Sequence, residues 1–431
     1  MFKTIANAWK LADLRRKILY VLFIVFLYRI GTAIPVPFVN PDMLSNFMNA
    51  TEGSIFQYLS ILSGNAFSQA TLFALGISPY ITASIVIQLL TIAIPYLERK
   101  SKEGEEGRKW LNQLTRIVTV ALGVITSIGY FKLLDANSVL NIPDGYTVFA
   151  GFVIVACYCA GSSLVMWLAE KINENGIGNG ISIILFANIV SSAPSMVSSL
   201  WSGFLASGSV GKVILGIAVI IVSIAAIFFI VFITDSERRL PVQYAKKVVG
   251  RKMYGGQNST LPLKLNMTGV MPIIFANSIV TLPSTIRMFV PSSWTTLRNV
   301  LGWFSTDSWI YAILTFILII AFAYFYVTIS FNPIEVANNL KKNGGFIPGI
   351  RPGKPTSDYI TKVLSRITLI GALFLDIIAV LPLVANIISG AQLSALAFTG
   401  SSIIIIVGVV LETAREIESQ MTMRHYKGFL E

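Results

Sequence analysis

Phe73-Ala74-Leu75-Gly76-Ile77-Ser78-Pro79-Tyr80-Ile81-Thr82-Ala83-Ser84-Ile85 lies inside a mostly apolar segment, residues 72–96, that is long enough to cross a membrane yet holds a glycine and a proline. A helix needs about 20 mainly apolar residues to cross roughly 30 Å of hydrocarbon. Proline removes a backbone donor and bends a helix, so the stretch reads as an interrupted span. A second such segment, residues 267–286, carries Gly269, Pro272 and Pro283. Eight more apolar segments complete the set: 18–35, 117–134, 148–169, 180–198, 213–234, 309–331, 367–388 and 393–411. Ten spans divide into five plus five, and each interrupted span is the second of its half. An odd number per half gives the two halves opposite orientations. Inverted repeats with corresponding broken helices flank a central pathway in membrane proteins.

Composition agrees with this reading. The 431 residues are 54% hydrophobic and 13% charged, with a mean hydropathy of +0.72. A soluble chain carries about a quarter charged residues. An ordinary soluble enzyme, a secreted scaffold and a disordered chain are all excluded. The expected class is an all-α polytopic membrane protein of ten transmembrane helices in two inverted five-helix halves. Residues 1–17 form an N-terminal segment, either an interfacial helix or a charged anchor. The halves run over 18–198 and 213–411, and residues 412–431 form a tail. The run 18–35 ends in Ile34-Pro35-Val36-Pro37, without a small-residue cleavage site, and reads as a retained first helix.

With both termini inside, the inner segments hold 28 of the 33 Lys and Arg residues. The outer segments hold Lys132, Lys212, Arg287 and Arg298, and Arg29 lies within the first span. This asymmetry obeys the positive-inside rule and accounts for much of the net charge of +12. It does not account for the clustering. Inner loop 235–266 carries Arg238, Arg239, Lys246, Lys247, Arg251, Lys252 and Lys264; inner loop 332–366 carries Lys341, Lys342, Arg351, Lys354, Lys362 and Arg366. Orientation needs only a few basic residues per loop. The excess suits docking of an anionic partner, with ribosomal RNA, an acidic protein and anionic lipid all compatible.

Outer residues 50–70 hold a short apolar run, Ile55-Phe56-Gln57-Tyr58-Leu59-Ser60-Ile61-Leu62, broken by Ser63-Gly64-Asn65. It is too short to cross. It reads as a re-entrant helix buried against protein, either static packing or a movable stopper. Chemistry-bearing residues are sparse: His425 is the single histidine, Cys157 and Cys159 face different directions on a helix, and no phosphate-binding loop has the right spacing. No enzyme activity, metal site or cofactor is expected. Ionisable groups inside the spans are few, and Arg29 and Asp376 stand out. Arg29 either snorkels or binds carbonyls, and Asp376 is expected to pair with a polar group on a neighbouring helix.

The motifs, taken in order, resemble the bacterial SecY family of protein-conducting channels from about Ala12 to about Phe429. They are Arg29-Ile30-Gly31 with Ile34-Pro35-Val36-Pro37, the stretch from Phe73 to Ile85, Gly176 to Ser182, Leu261-Pro262-Leu263-Lys264 and Asn338-Asn339-Leu340-Lys341-Lys342. The most specific is Gly345-Phe346-Ile347-Pro348-Gly349-Ile350-Arg351-Pro352-Gly353. Departures are local: no histidine in Gln257-Asn258-Ser259-Thr260, Leu185 where isoleucine is usual, and Thr399-Gly400-Ser401-Ser402 in place of a Gly-Gly-Thr-Ser pattern. The resemblance implies a passive channel that moves unfolded polypeptides across the cell membrane and releases apolar segments sideways into lipid. It implies a constriction ring of Ile77, Ile81, Ile181, Leu185, Ile274 and Ile405. It implies a plug over about 54–68, including Ile55, Phe56, Leu59, Ile61, Leu62, Gly64 and Asn65. Thr82 and Leu282 would face each other across a lateral gate between the second and third and the seventh and eighth spans. Arg238, Arg239, Lys246, Lys247, Arg251, Lys252, Lys341, Lys342, Arg351 and Lys354 would dock the SecA motor ATPase and the ribosome. SecE and SecG would be membrane partners, and preproteins with their signal sequences the substrate. The rival reading is an inverted-repeat secondary transporter of small solutes, which would need a polar site at the membrane midplane.

Overall fold

A computed structural model describes residues 8–50, 55–142, 146–201, 210–244, 247–249, 252–254, 258–290, 294–305, 308–389 and 399–427. The first half contains α1 (Ala12–Gly31), α2 (Pro41–Ala50), α3 (Ile55–Ser63), α4 (Ser78–Ala93), α5 (Pro95–Lys102), α6 (Glu105–Ala136), α7 (Thr147–Asn175) and α8 (Gly180–Leu200). The second half contains α9 (Val210–Asp235), α10 (Met271–Phe289), α11 (Thr295–Gly302), α12 (Trp309–Ser330), α13 (Pro333–Lys342), α14 (Lys354–Ile388) and α15 (Thr399–Lys427). Each expected span carries a helix: α1, α4, α6, α7 and α8, then α9, α10, α12, α14 and α15. The first residues of the tenth span, 393–398, lie outside the described residues. Helices over 105–136, 147–175, 213–235, 309–342 and 354–388 are long and apolar enough to cross a bilayer unaided, and α4 with α5 makes a sixth across a 101° bend. The chain is a multi-pass membrane protein.

The two interrupted spans differ from expectation in an informative way. Pro79 and Pro272 do not bend helices; they open them, each as the second helical residue. At that position the missing N–H would have had no intrahelical partner anyway, so proline costs nothing. The preceding glycines, Gly76 at φ +55° and Gly269 at φ +63°, occupy the left-handed region that a side chain disfavours. Gly76-Ile77-Ser78-Pro79 and Gly269-Val270-Met271-Pro272 thus perform the same turn into a helix, with near-identical caps at Ile77 (φ −91°, ψ −3°) and Val270 (φ −91°, ψ −8°). Only Pro283 lies inside its helix.

The second span is therefore part turn, part helix. At membrane depth, irregular backbone persists only where protein satisfies its polar groups. Here Leu72 N–H donates to the Ile34 carbonyl at 2.9 Å and Val36 N–H to the Ala70 carbonyl at 3.3 Å. The Tyr130 hydroxyl donates to the Phe67 carbonyl at 2.7 Å and the Tyr158 hydroxyl to the Ala70 carbonyl at 3.3 Å. These two buried tyrosines stand edge to face, 4.9 Å apart.

The two long basic loops, 235–266 and 332–366, contain more structure than their composition suggested. Strands β1 (Glu237–Tyr244), β2 (Lys247–Val249), β3 (Lys252–Tyr254) and β4 (Asn258–Lys264) occupy the first, and β5 (Gly345–Phe346) with α13 and the first turns of α14 occupies the second. β1 pairs antiparallel with β4 and with β5, so the two loops share one three-stranded sheet. Leu240, Val242 and Leu263 from the first loop pack with Ile347, Ile360 and Leu364 from the second in one apolar core. Arg238, Arg239, Lys341, Lys342, Arg351 and Lys354 thus belong to a single folded body.

Candidate functional site

The six expected ring residues come from four helices, and all are buried, at 1–6% exposure. Ile77 caps α4 and Ile81 lies one turn on; Ile181 and Leu185 are a turn apart at the start of α8; Ile274 and Ile405 lie early in α10 and α15. The side chain of Asn179 caps α8, accepting from Ile181 N–H and Ser182 N–H, which fixes where Ile181 points. All six belong to one apolar cluster that also draws on α1, α7, α9, α12 and α14. Burying an aliphatic side chain of this size is worth about 2 kcal/mol relative to water. The six together strongly favour a closed, dry centre when nothing occupies it.

The short helix α3 reaches this cluster from one end. Its nine residues span about 13 Å, less than half a bilayer core. Ile61 is a member of the cluster and Leu62 packs on it. Gly64 at φ +64° and Asn65 at φ +69° end the helix. Ile55 and Phe56 form its first turn. Leu59, Leu62 and Ser63 line a cavity of about 120 Å³ together with Thr82, Ser278, Thr281 and Leu282. The expected gate pair, Thr82 on α4 and Leu282 on α10, therefore lines one cavity beside the short helix. These two helices touch directly.

Three side chains at this centre are more important than their sequence positions suggested. The Tyr326 hydroxyl on α12 donates to Gln88 Oε1 on α4 at 2.8 Å, a bond across the α4–α12 seam. Arg29 binds carbonyls, those of Ala187 and Gly64. Asn188 donates to the Leu62 carbonyl at 2.6 Å. Asp376 departs from expectation: it is fully buried on α14, and neither carboxyl oxygen has a hydrogen-bond partner among the described residues. Its immediate neighbours on the buried face of α14, Ala372, Leu375 and Ala379, offer no donor.

In the two long basic loops, Arg238, Arg239, Lys341, Lys342, Arg351 and Lys354 are exposed. Arg239 pairs with Glu237 at 2.7 Å. Lys247 pairs with Tyr254 at the open end of the β2–β3 pair, and Lys252 sits opposite Val249 at the other end. Lys246 and Arg251 lie outside the described residues. Arg351 sits between Gly349 at φ +82° and Gly353 at φ +105°, and its carbonyl accepts from Thr356 Oγ1 at 2.8 Å.

A bundle of apolar helices with paired interrupted spans, an aliphatic centre and a short non-spanning helix against it has the architecture of a protein-conducting channel. A solved structure described as a protein conducting channel superposes with a TM-score of 0.61, covering 94% of this chain and 92% of that one at 16% identity. Sec61 from a canine ribosome–channel complex gives 0.58 over 94% and 92% at the same identity. The SecY family model matches residues 71–414. Protein translocase subunit SecY of Streptomyces coelicolor is 44% identical over 450 positions, and that of Mycobacterium tuberculosis 42% over 447, each covering 100% of both chains. The chain belongs to the SecY family.

Proposed function

We infer that this chain is the central, pore-forming subunit of a Sec preprotein translocase. The observation that carries the reading is the convergence of Ile77, Ile81, Ile181, Leu185, Ile274 and Ile405 in one buried apolar cluster, with Ile61 and Leu62 of α3 against it. Aliphatic side chains at a neck exclude water when empty and yield to a passing chain without offering it a binding group. That is what a sequence-indifferent polypeptide conduit needs. A transporter of small solutes would need polar groups at the ring itself to bind its cargo, and the six ring side chains are all aliphatic.

In this reading α3 is the plug, and the seam between α4 and α10 is the lateral gate through which apolar segments leave for lipid. The two halves, 18–198 and 213–411, move apart to open it. With no nucleotide-binding motif, the channel depends on an external engine: the SecA ATPase, or the ribosome during synthesis. The sheet-linked inner body, with Arg238, Arg239, Lys247, Lys252, Lys341, Lys342, Arg351 and Lys354, is where either would dock, and Lys246 and Arg251 belong with them by sequence. SecE and SecG complete the membrane complex. The membrane is the bacterial cytoplasmic membrane, with both termini inside.

Cysteines at Thr82 and Leu282 test the gate. Joined by a short bifunctional crosslinker, they should stop export almost completely, and reduction of the link should restore it. Export at the wild-type rate with the link confirmed by gel shift would place the exit elsewhere. The Gln88–Tyr326 bond belongs to the same account: Tyr326→Phe removes a hydrogen bond worth about 1 kcal/mol. It should increase export of a reporter with a weakened signal sequence several-fold, and an unchanged rate would leave the bond outside gating.

A further inference from the structure

The end of α3 is held by donors from two other helices, in a manner that the carbonyl groups themselves explain. A helix leaves its last carbonyls without intrahelical partners. Within α3, the Ser60 carbonyl accepts from Asn65 N–H at 2.8 Å and the Ile61 carbonyl from Gly64 N–H at 3.1 Å, so the local turn satisfies both. The carbonyls of Leu62 and Gly64 take side-chain donors from outside. Leu62 accepts from Asn188 Nδ2 on α8 at 2.6 Å, and Gly64 accepts from Arg29 Nη1 on α1 at 3.5 Å. The other arm of the guanidinium reaches the Ala187 carbonyl, next to Asn188. Asn188 is fully buried, and its Oδ1 lies beside Gly64 and the Tyr28 side chain. Gly64 lies between the two: a Cβ there would stand 2.8 Å from Arg29 Nη1 and 2.9 Å from Asn188 Oδ1. Its φ of +64° also disfavours any side chain. A cation at the carboxyl end of a helix is further favoured by the helix dipole.

We propose that Arg29 and Asn188 form a latch that holds α3 by its terminal carbonyls in the resting channel, and that release of this latch sets how readily the channel opens. The inference rests on α3 being the plug. Its consequence goes further: the threshold for opening is set by the two donors as well as by the aliphatic neck. An incoming segment must draw α3 off Arg29 and Asn188 before the neck is clear, so a weak signal sequence fails at this step.

Asn188→Ala is the decisive variant, because alanine keeps the helix and removes only the amide. Planar-bilayer recordings without substrate should show about tenfold more frequent opening than wild type, equivalent to ~1.4 kcal/mol on the closed state. Export of a reporter with a defective signal should rise in parallel. Arg29→Lys keeps the charge but loses the two-armed contact, and should show a smaller increase of the same kind. The control is a channel lacking residues 55–66: in that background Asn188→Ala should add nothing, since two changes acting on one contact are not additive. Wild-type resting behaviour of Asn188→Ala, alongside a leaking deletion channel, would overturn the latch and leave the plug intact. An equal increase with and without the plug would also overturn it, by placing Asn188 in the neck. A silent deletion channel would remove the plug reading and the latch together.

Discussion

A channel lacking residues 55–66 is expected to insert and export normally while leaking ions at rest. The deleted segment includes all of α3, whose nine residues are too short to span, so no membrane crossing is lost. The flanking chain keeps its own anchors, since Phe67 and Ala70 are held by Tyr130 and Tyr158. What is lost is the apolar cover that Ile61 and Leu62 place on the apolar cluster. Two side chains of this size contribute about 3–6 kcal/mol when buried. Each 1.4 kcal/mol corresponds to a factor of about ten in population. Resting conductance should therefore rise by at least ~10-fold, even if neighbouring side chains recover much of the loss. Planar-bilayer recording without substrate is the measurement. A silent deletion channel, shown to be inserted, would mean that α3 is not the seal.

Arg351→Glu should insert normally and lose most SecA-driven export. The guanidinium is exposed, has no ion pair among the described residues, and belongs to a turn shaped by Gly349 and Gly353. Backbone and Thr356 contacts hold that turn, so the side chain contributes little to the fold. Nor should one charge reverse the proposed orientation, in which 28 Lys and Arg residues lie inside. Charge reversal at a docking contact costs the bond and adds repulsion, and truncating one partner of such a pair alone removes about 2–5 kcal/mol. At the upper end that is a loss of more than ~100-fold in docking. Arg351→Lys should be impaired less severely, because an ammonium cannot make the two parallel bonds of a guanidinium. Export into inverted vesicles, normalised to inserted channel, decides the matter. Wild-type rates for the glutamate variant would leave Arg351 as a topology charge.

The membrane architecture was legible because lipid imposes a simple rule: each crossing needs its own apolar length. Segments such as 213–234 and 309–331 announce themselves by that rule alone, and α9 and α12 follow them closely. Gly76 and Pro79 marked the right place but the wrong event. Whether proline kinks or opens a helix depends on whether a turn of helix precedes it, and the run from Phe73 gives no sign that it is not helical. The strand β1 was hidden by its surroundings. Leu240 and Val242 alternate with Arg239, Pro241 and Gln243, a two-residue period that a basic loop made easy to pass over.

Side-chain pairings were the least legible. Asn188 meets Leu62 across 126 residues of chain, and Tyr326 meets Gln88 across 238. No local pattern encodes such contacts; the first comes from packing within the first half, and the second exists because the two halves meet around one centre. Arg29 was singled out by its charge within an apolar run, and its carbonyl partners became identifiable only once α3 and α8 were placed. Asp376 shows the reverse. Its charge drew notice, yet its buried neighbours supply no hydrogen bond, and its position has no structural explanation among the described residues.

The exported polypeptide is expected to pass through the aliphatic ring. A photoreactive residue at Ile81, Ile274 or Ile405, irradiated while a preprotein is jammed in transit by a folded domain at its carboxyl end, tests this directly. The control position is Phe228 on α9, which is 75% exposed on the outer surface of the bundle. Adducts to the jammed preprotein from all three ring positions, with none from Phe228, are the predicted result. A jammed preprotein that leaves all three ring positions unlabelled would contradict the account.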